Sequence, residues 1–182
     1  VPLHNSKVPF GGVIVSSDRD GTVDTEINFL SLYANQIELA ITVAGLFEEV
    51  KKQAVTDPLT GLYNRRYFEE SIEKEAERSL RLNQPFSLIS LDLDFLKKIN
   101  DTYGHQYGDM AIKAIADVLK REARSIDTPA RIGGEEFNVL LPGVESTGAC
   151  SAAERIRKAI ESQKIDTIGG VTASIGVATF ME

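Results

Sequence analysis

Gly133 and Gly134 sit between two β-prone stretches, residues 128–132 and 137–141, and this placement leaves the chain few ways to fold there. A Gly-Gly pair in that position predicts a hairpin, because glycine enters φ > 0 without a Cβ clash. Glycine also lets another molecule come close to the backbone. Glu135 and Glu136 follow at the tip. Two carboxylates there are hard oxygen donors that suit a Mg²⁺-type cation. A solvated acidic turn is the other reading of the same residues.

The stretches around the hairpin have clear periods. Over 86–94, Leu88, Ser90 and Asp92 alternate with Ile89, Leu91 and Leu93, which predicts a strand with Asp92 at its end. A short helix and turn rich in Asp, Lys and Asn follow over 95–109. Ile112, Ile115, Ala116 and Leu119 then mark a helix to about residue 124. Beyond the hairpin, Ala149, Ala153, Ile156 and Ile160 predict a helix over 146–162, and 170–180 reads as a last strand. The order from residue 86 is β-α-β-β-α-β. This is the ferredoxin-like order, an α+β fold with an antiparallel sheet and helices packed on it. Nucleotide-polymerising palm domains share it by analogy.

The N-terminal third is different. Residues 10–15, Phe-Gly-Gly-Val-Ile-Val, read as a strand. A helix is predicted over 25–55, with Thr25 as N-cap, and it is long for a globular protein. It carries two apolar stripes. Leu30, Tyr33, Ile37, Ala40, Ala44 and Phe47 form one; Leu32, Leu39, Val43, Leu46 and Val50 form the other. The stripes fit a sheet on one side and a second subunit on the other, or else one wide face buried within the monomer. Asp57-Pro58 ends this helix and Asn64 caps the next, whose buried stripe is Phe68, Ile72 and Ala76.

A net charge of -7 and a pI near 5.0 argue against a nucleic-acid or anionic-membrane surface. They are compatible with a nucleotide whose phosphates a metal bridges to acidic side chains. The one cysteine, Cys150, excludes an internal disulfide and fits a reducing, cytoplasmic compartment. No apolar run reaches membrane-spanning length, and the N-terminus has no signal-peptide pattern. His105 reads as a capping or structural histidine, since His4 is the only other one.

Taken together, residues 57–180 resemble the GGDEF family, the diguanylate cyclases. The motifs are Asp57-x-Leu59-Thr60-Gly61-Leu62-x-Asn64-Arg65-Arg66 and Asp92-x-Asp94-x-x-Lys97-x-x-Asn100-Asp101-x-x-Gly104-His105-x-x-Gly108-Asp109. Arg131-x-Gly133-Gly134-Glu135-Glu136-Phe137, a GGEEF variant of the signature, and Ser174-Ile-Gly-Val-Ala178 complete them. The resemblance implies condensation of two GTP into cyclic di-GMP, with release of two pyrophosphates, between two domains that meet face to face as a homodimer. It implies Mg²⁺, with Mn²⁺ as a substitute, held by Asp92, Glu135 and the Leu93 carbonyl. Glu136 is implied as a further ligand or as the group that helps deprotonate the 3′-hydroxyl. Asn100 and Asp109 match the guanine-reading pair. Lys97 with the backbone of Phe95 and Leu96 matches the triphosphate-binding turn, and Gly133 and Gly134 let the backbone approach the phosphates.

Arg124-x-x-Asp127, five residues before the double glycine, matches the family's inhibitory product site, and Arg155 matches a further arginine of it. Residues 1–24 resemble the closing strand of a GAF sensory domain. Residues 25–56 are then a linker and dimerisation helix, and 57–182 the GGDEF domain. Family members continue with a helix whose lysine and arginine help hold the triphosphate, and this sequence stops at Glu182 before it. The alternative to an active cyclase is a catalytically inactive module that binds cyclic di-GMP or GTP. A mainly structural dimerisation unit built on residues 25–55 is a third reading.

Overall fold

The computed structural model describes residues 2–5, 8–12 and 24–180, and the side chains of 32–47 and 55–180. Two compact units divide the chain, residues 1–54 and 55–182. The first holds an antiparallel pair, β1 (Pro2–Asn5) and β2 (Val8–Gly12). The strand expected over 10–15 is described as far as Gly12, and its remainder lies outside the described residues. Helix α1 (Asp24–Val55) begins one residue before Thr25, so Thr25 sits in its first turn and is not its cap. Between residues 32 and 47 of α1, only Ala34 is buried. Leu32, Leu39, Val43 and Leu46 of one stripe are exposed, and so are Tyr33, Ile37 and Phe47 of the other. Among residues 32–47, then, no wide buried face is described.

The second unit opens with a tight turn. Gly61 N–H donates to Asp57 O, Asp57 N–H donates to Leu62 O, and Gly61 takes φ 67°. Then come β3 (Tyr63–Asn64) and α2 (Arg65–Leu82). Asn64 caps α2 as its sequence predicts, its side chain accepting from Tyr67 N–H. After α2 the order is β4 (Phe86–Leu93), α3 (Leu96–Tyr103), α4 (His105–Glu122), β5 (Thr128–Arg131), β6 (Glu136–Pro142) and α5 (Ser146–Glu161). A small hairpin, β7 (Lys164–Ile165) with β8 (Gly169–Gly170), precedes β9 (Ala173–Phe180). The last strand therefore starts three residues later than the pattern suggests.

The sheet order is β3-β5-β6-β4-β9. Its four long strands pair antiparallel in the ferredoxin-like arrangement, and β3 adds a short parallel edge on β5. Strand alternation sends Ile89, Leu91 and Leu93 of β4, with Phe137, Val139 and Leu141 of β6, into one core shared with α4 and α5. The opposite face packs Phe86 and Leu140 against Phe68 of α2. The side chains of Asp92 and Glu136 therefore belong to the α2 face. Both lie exposed beyond the part of the sheet that α2 covers.

Candidate active site

Three strands end together. Asp92 on β4 is directly opposite Glu136 on β6 and directly opposite Ser174 on β9. Directly opposed residues of an antiparallel pair put their side chains on one face with Cβ atoms roughly 5 Å apart. Like charges so placed repel and destabilise the sheet unless something neutralises them. Leu93 N–H donates to Glu135 O at 3.1 Å, which fixes the hairpin tip against the end of β4. The Leu93 side chain is fully buried, so its backbone is what it offers the site. The fold thus brings Asp92, Leu93, Glu135 and Glu136 to one edge of the sheet.

The glycines act differently from the expectation. Among the described residues the positive-φ glycines are Gly61, Gly104, Gly143 and Gly169, and neither Gly133 nor Gly134 is among them. What Gly133 supplies is space: a Cβ there would lie 2.7 Å from Glu136 Oε2. The turn is held instead by Arg131, whose Nε donates to Gly133 O at 3.1 Å and whose Nη2 donates to Gly134 O at 2.8 Å.

Among the described residues, no group of three or more His, Cys, Asp or Glu side chains is placed to hold a metal ion. The donor set of carboxylates and one carbonyl is all oxygen, with no nitrogen or sulfur. Mg²⁺ needs only one or two protein carboxylates when it keeps waters and takes substrate phosphates. The residues present fit such a cation and do not form an all-protein cage.

Past Asp94 the backbone turns sharply. Phe95 takes φ 62° and ψ 25°, a left-handed conformation that costs a non-glycine residue about 1 kcal/mol or more. Its side chain is 76% exposed. Helix α3 starts at the next residue, so Leu96 and the exposed Lys97 lie in its first turn, as a phosphate-binding helix start requires. Asn100 comes one turn later. Its Oδ1 is the only buried side-chain polar atom among the described residues without a hydrogen-bond partner. It lies against Gly108 of α4, where a Cβ would come within 2.0 Å of it. Asp109 follows on α4 and is exposed. His105, also exposed, is the first residue of that helix.

A second polar cluster surrounds a cavity of about 230 Å³ between the end of α4 and α5. Arg124, Asp127 and Arg155 all line it, together with Glu122, Val144 and Gly148. Arg124 Nη2 donates to Asp127 Oδ1 at 2.8 Å, and Arg124 N–H donates to Asp127 Oδ2 at 2.8 Å. The hydrogen bond to Asp127 raises the Arg124 pKa against the effect of burial. Arg155 is held by Glu122: Nε donates to its carboxylate at 2.9 Å and Nη2 to its backbone oxygen at 3.2 Å. Arg155, together with Arg121, in turn holds the Glu122 carboxyl below its usual range. Sequence reasoning missed Glu122. A carboxylate two residues before Arg124 is a weak signal, because a single glutamate in a charged helix end matches no pattern.

A model of the family described as diguanylate cyclase, GGDEF domain matches residues 54–182. Response regulator PleD of Caulobacter vibrioides is 42% identical over 130 residues, covering 69% of this chain and 29% of that protein. Diguanylate cyclase A of Treponema denticola is 33% identical over 189 residues, covering 99% of this chain and 50% of that protein. The chain thus spans half the length or less of these curated relatives. Among solved structures, the coiled coil and GGDEF domain of DgcB from Caulobacter crescentus in complex with c-di-GMP superposes with a TM-score of 0.76 at 28% identity. That match covers 84% of this chain and 83% of the other.

Proposed function

The chain belongs to the GGDEF family of diguanylate cyclase domains, and on that premise we propose that it condenses two GTP into cyclic di-GMP with release of two pyrophosphates. The observation that carries this reading is the opposition of Asp92 and Glu136 at the sheet edge where Leu93 is bonded to Glu135. Two carboxylates facing each other at a strand end are costly unless a cation sits between them. A bound Mg²⁺, or Mn²⁺ in its place, held by Asp92, Glu135 and the Leu93 carbonyl, supplies charge neutralisation on the triphosphate.

The remaining chemistry falls to the chain itself. The first turn of α3, with Lys97 and the amides of Phe95 and Leu96, binds the phosphates. Gly133 and Gly134 keep the hairpin backbone open to them. Asn100, with its unpartnered Oδ1, and Asp109 read guanine, whose N1–H and 2-amino group offer donors that adenine lacks. Each 3′-oxygen bonds to the α-phosphorus of the other GTP as the bond from that phosphorus to pyrophosphate breaks. Glu136 takes the hydroxyl proton, and positioning of the two nucleotides supplies most of the rate. Two copies are needed, and the exposed apolar residues of α1 support pairing of this linker helix. The N-terminal residues belong, in this reading, to the end of a GAF-like sensory domain. No described helix is long and apolar enough to cross a membrane.

Product binding at Arg124, Asp127 and Arg155 gives feedback inhibition, since two guanidinium groups around one cavity suit the phosphates and guanine edges of cyclic di-GMP. Incubation with GTP and Mg²⁺, following pyrophosphate and cyclic di-GMP, tests the whole reading. Turnover that Glu136→Ala abolishes supports it. Tight product binding by an unaltered chain that makes no product favours the inactive binding module.

A further inference from the structure

Both carboxylate oxygens of Asp94 are engaged within the chain. Its Oδ1 accepts from Ser174 Oγ and its Oδ2 from Thr172 Oγ1, each at 2.7 Å. Its backbone N–H donates to Thr172 O at 3.0 Å. The residue is thus tied by three hydrogen bonds to the start of β9. It also stands between Asp92 and Phe95, whose left-handed backbone starts the α3 turn. Such a conformation persists only where its surroundings hold it. Ser174, the donor to Asp94, is the residue directly opposite Asp92. A serine has one hydroxyl proton to give. Given to Asp94, it is withheld from Asp92, and the Asp92 carboxylate accepts no side-chain hydrogen bond among the described residues.

We propose that Asp94 is a positioning residue for the nucleotide site. It draws the Ser174 and Thr172 hydroxyls to itself, which keeps the Asp92 lone pairs open and fixes the Phe95 turn so that the amides of residues 95–97 face the phosphates. The inference rests on the function proposed above. It assigns the second aspartate of Asp92-x-Asp94 a task separate from that of the first.

The test is calorimetric binding of 3′-deoxy-GTP with Mg²⁺ to the full chain, since that nucleotide lacks the attacking hydroxyl and cannot condense. Asp94→Ala weakens binding about tenfold and raises the Mg²⁺ needed for half-saturation, and Asp94→Asn, which keeps one acceptor, recovers part of the loss. Steady-state assays with GTP show the change in KM, with kcat altered far less. The Thr172→Val, Ser174→Ala double variant loses the Asp94 clamp on the Phe95 turn and so reproduces the loss of nucleotide binding, but with no hydroxyl beside Asp92 its Mg²⁺ requirement stays near that of the unaltered chain. Asp94→Ala adds little to its nucleotide loss because all three act through the same contacts. A purely structural role lowers stability without this split or this non-additivity. Undiminished nucleotide binding by the double variant overturns the inference, even where Asp94→Ala fails to fold. So does full additivity. Absence of binding by the unaltered chain overturns the function itself, and the inference with it.

Discussion

Arg131 Nη1 lies 3.2 Å from Asp57 Oδ1, joining residues 74 apart in sequence. Both side chains are largely buried, at 15% and 19% exposure. The same guanidinium donates to both glycine carbonyls of the hairpin turn. Asp57 also accepts from the amide and hydroxyl of Thr60, at 2.9 and 2.6 Å. One arginine therefore ties the turn that carries Glu135 and Glu136 to the turn that follows α1. Arg131→Ala leaves Asp57 short of a charged partner and two turn carbonyls without their side-chain donor. A loss of about 2–4 kcal/mol in urea unfolding is expected, with turnover reduced more than GTP binding. Arg131→Lys rescues little, because an ammonium cannot reproduce the fork.

The Asp57 carboxyl adds a pH dependence. Burial pushes its pKa up, but the Thr60 hydrogen bonds and the Arg131 guanidinium outweigh this and hold it below the usual carboxylate value. A depressed folded-state pKa means the unfolded chain binds the proton more readily. The resulting stability is present in full above the unfolded value, near pH 4, and is lost as pH falls through the folded value. Urea melts of the wild type and Asp57→Asn should therefore differ at pH 6, and the difference should shrink as pH falls below the unfolded carboxylate value of about 4. A constant difference across that range would assign the effect to packing.

Gly108→Ala is expected to disable guanine recognition. The added Cβ would meet Asn100 Oδ1 at 2.0 Å, so the amide must leave its place under α4. GTP affinity should drop about tenfold or more, and the preference for GTP over inosine triphosphate, which lacks the 2-amino group, should shrink. Equal preference ratios in variant and wild type would separate Asn100 from that group.

Under the proposed product inhibition, Glu122 is expected to set how readily product binds. Arg155 is 56% exposed, so its pair with Glu122 adds little stability and a phosphate can displace the carboxylate. Glu122→Gln removes the competing charge, and the cyclic di-GMP concentration that halves the initial rate should fall several-fold. Arg124→Ala should leave initial turnover intact and abolish the inhibition. Progress curves with added cyclic di-GMP measure both, and inhibition that persists in Arg124→Ala would place the product elsewhere.

Much of this was legible in the sequence where periodicity carries it. The alternation of Ile89, Leu91 and Leu93 against Ser90 and Asp92 gives β4, its buried face and the position of Asp92 at its end. Asn64 announced its cap. Elements of two residues, β3 and the β7–β8 hairpin, have no period to read, and a Gly-Gly pair does not reveal that neither residue takes positive φ and that only Gly133 sits close to a side chain. The Asp57–Arg131 pair and the Asp94 clamp join residues more than seventy positions apart. No local pattern encodes such contacts, which the fold alone creates.

Helix α1 gives the last prediction. Leu39 is 65% exposed and Leu46 is 57% exposed, seven residues apart with Val43 between them at 56%. That spacing repeats the step of a coiled-coil seam, in which Leu and a β-branched residue alternate and favour two strands. A glutamate at Leu39 places like charges across such a seam at no cost to the fold of residues 55–182, whose core is its own. If two copies pair through α1 as proposed, Leu39→Glu should lower the dimer fraction in sedimentation and slow condensation in proportion. Binding of 3′-deoxy-GTP, which one domain accomplishes alone, should be unchanged. A variant that stays dimeric with full activity would show that α1 is not the seam.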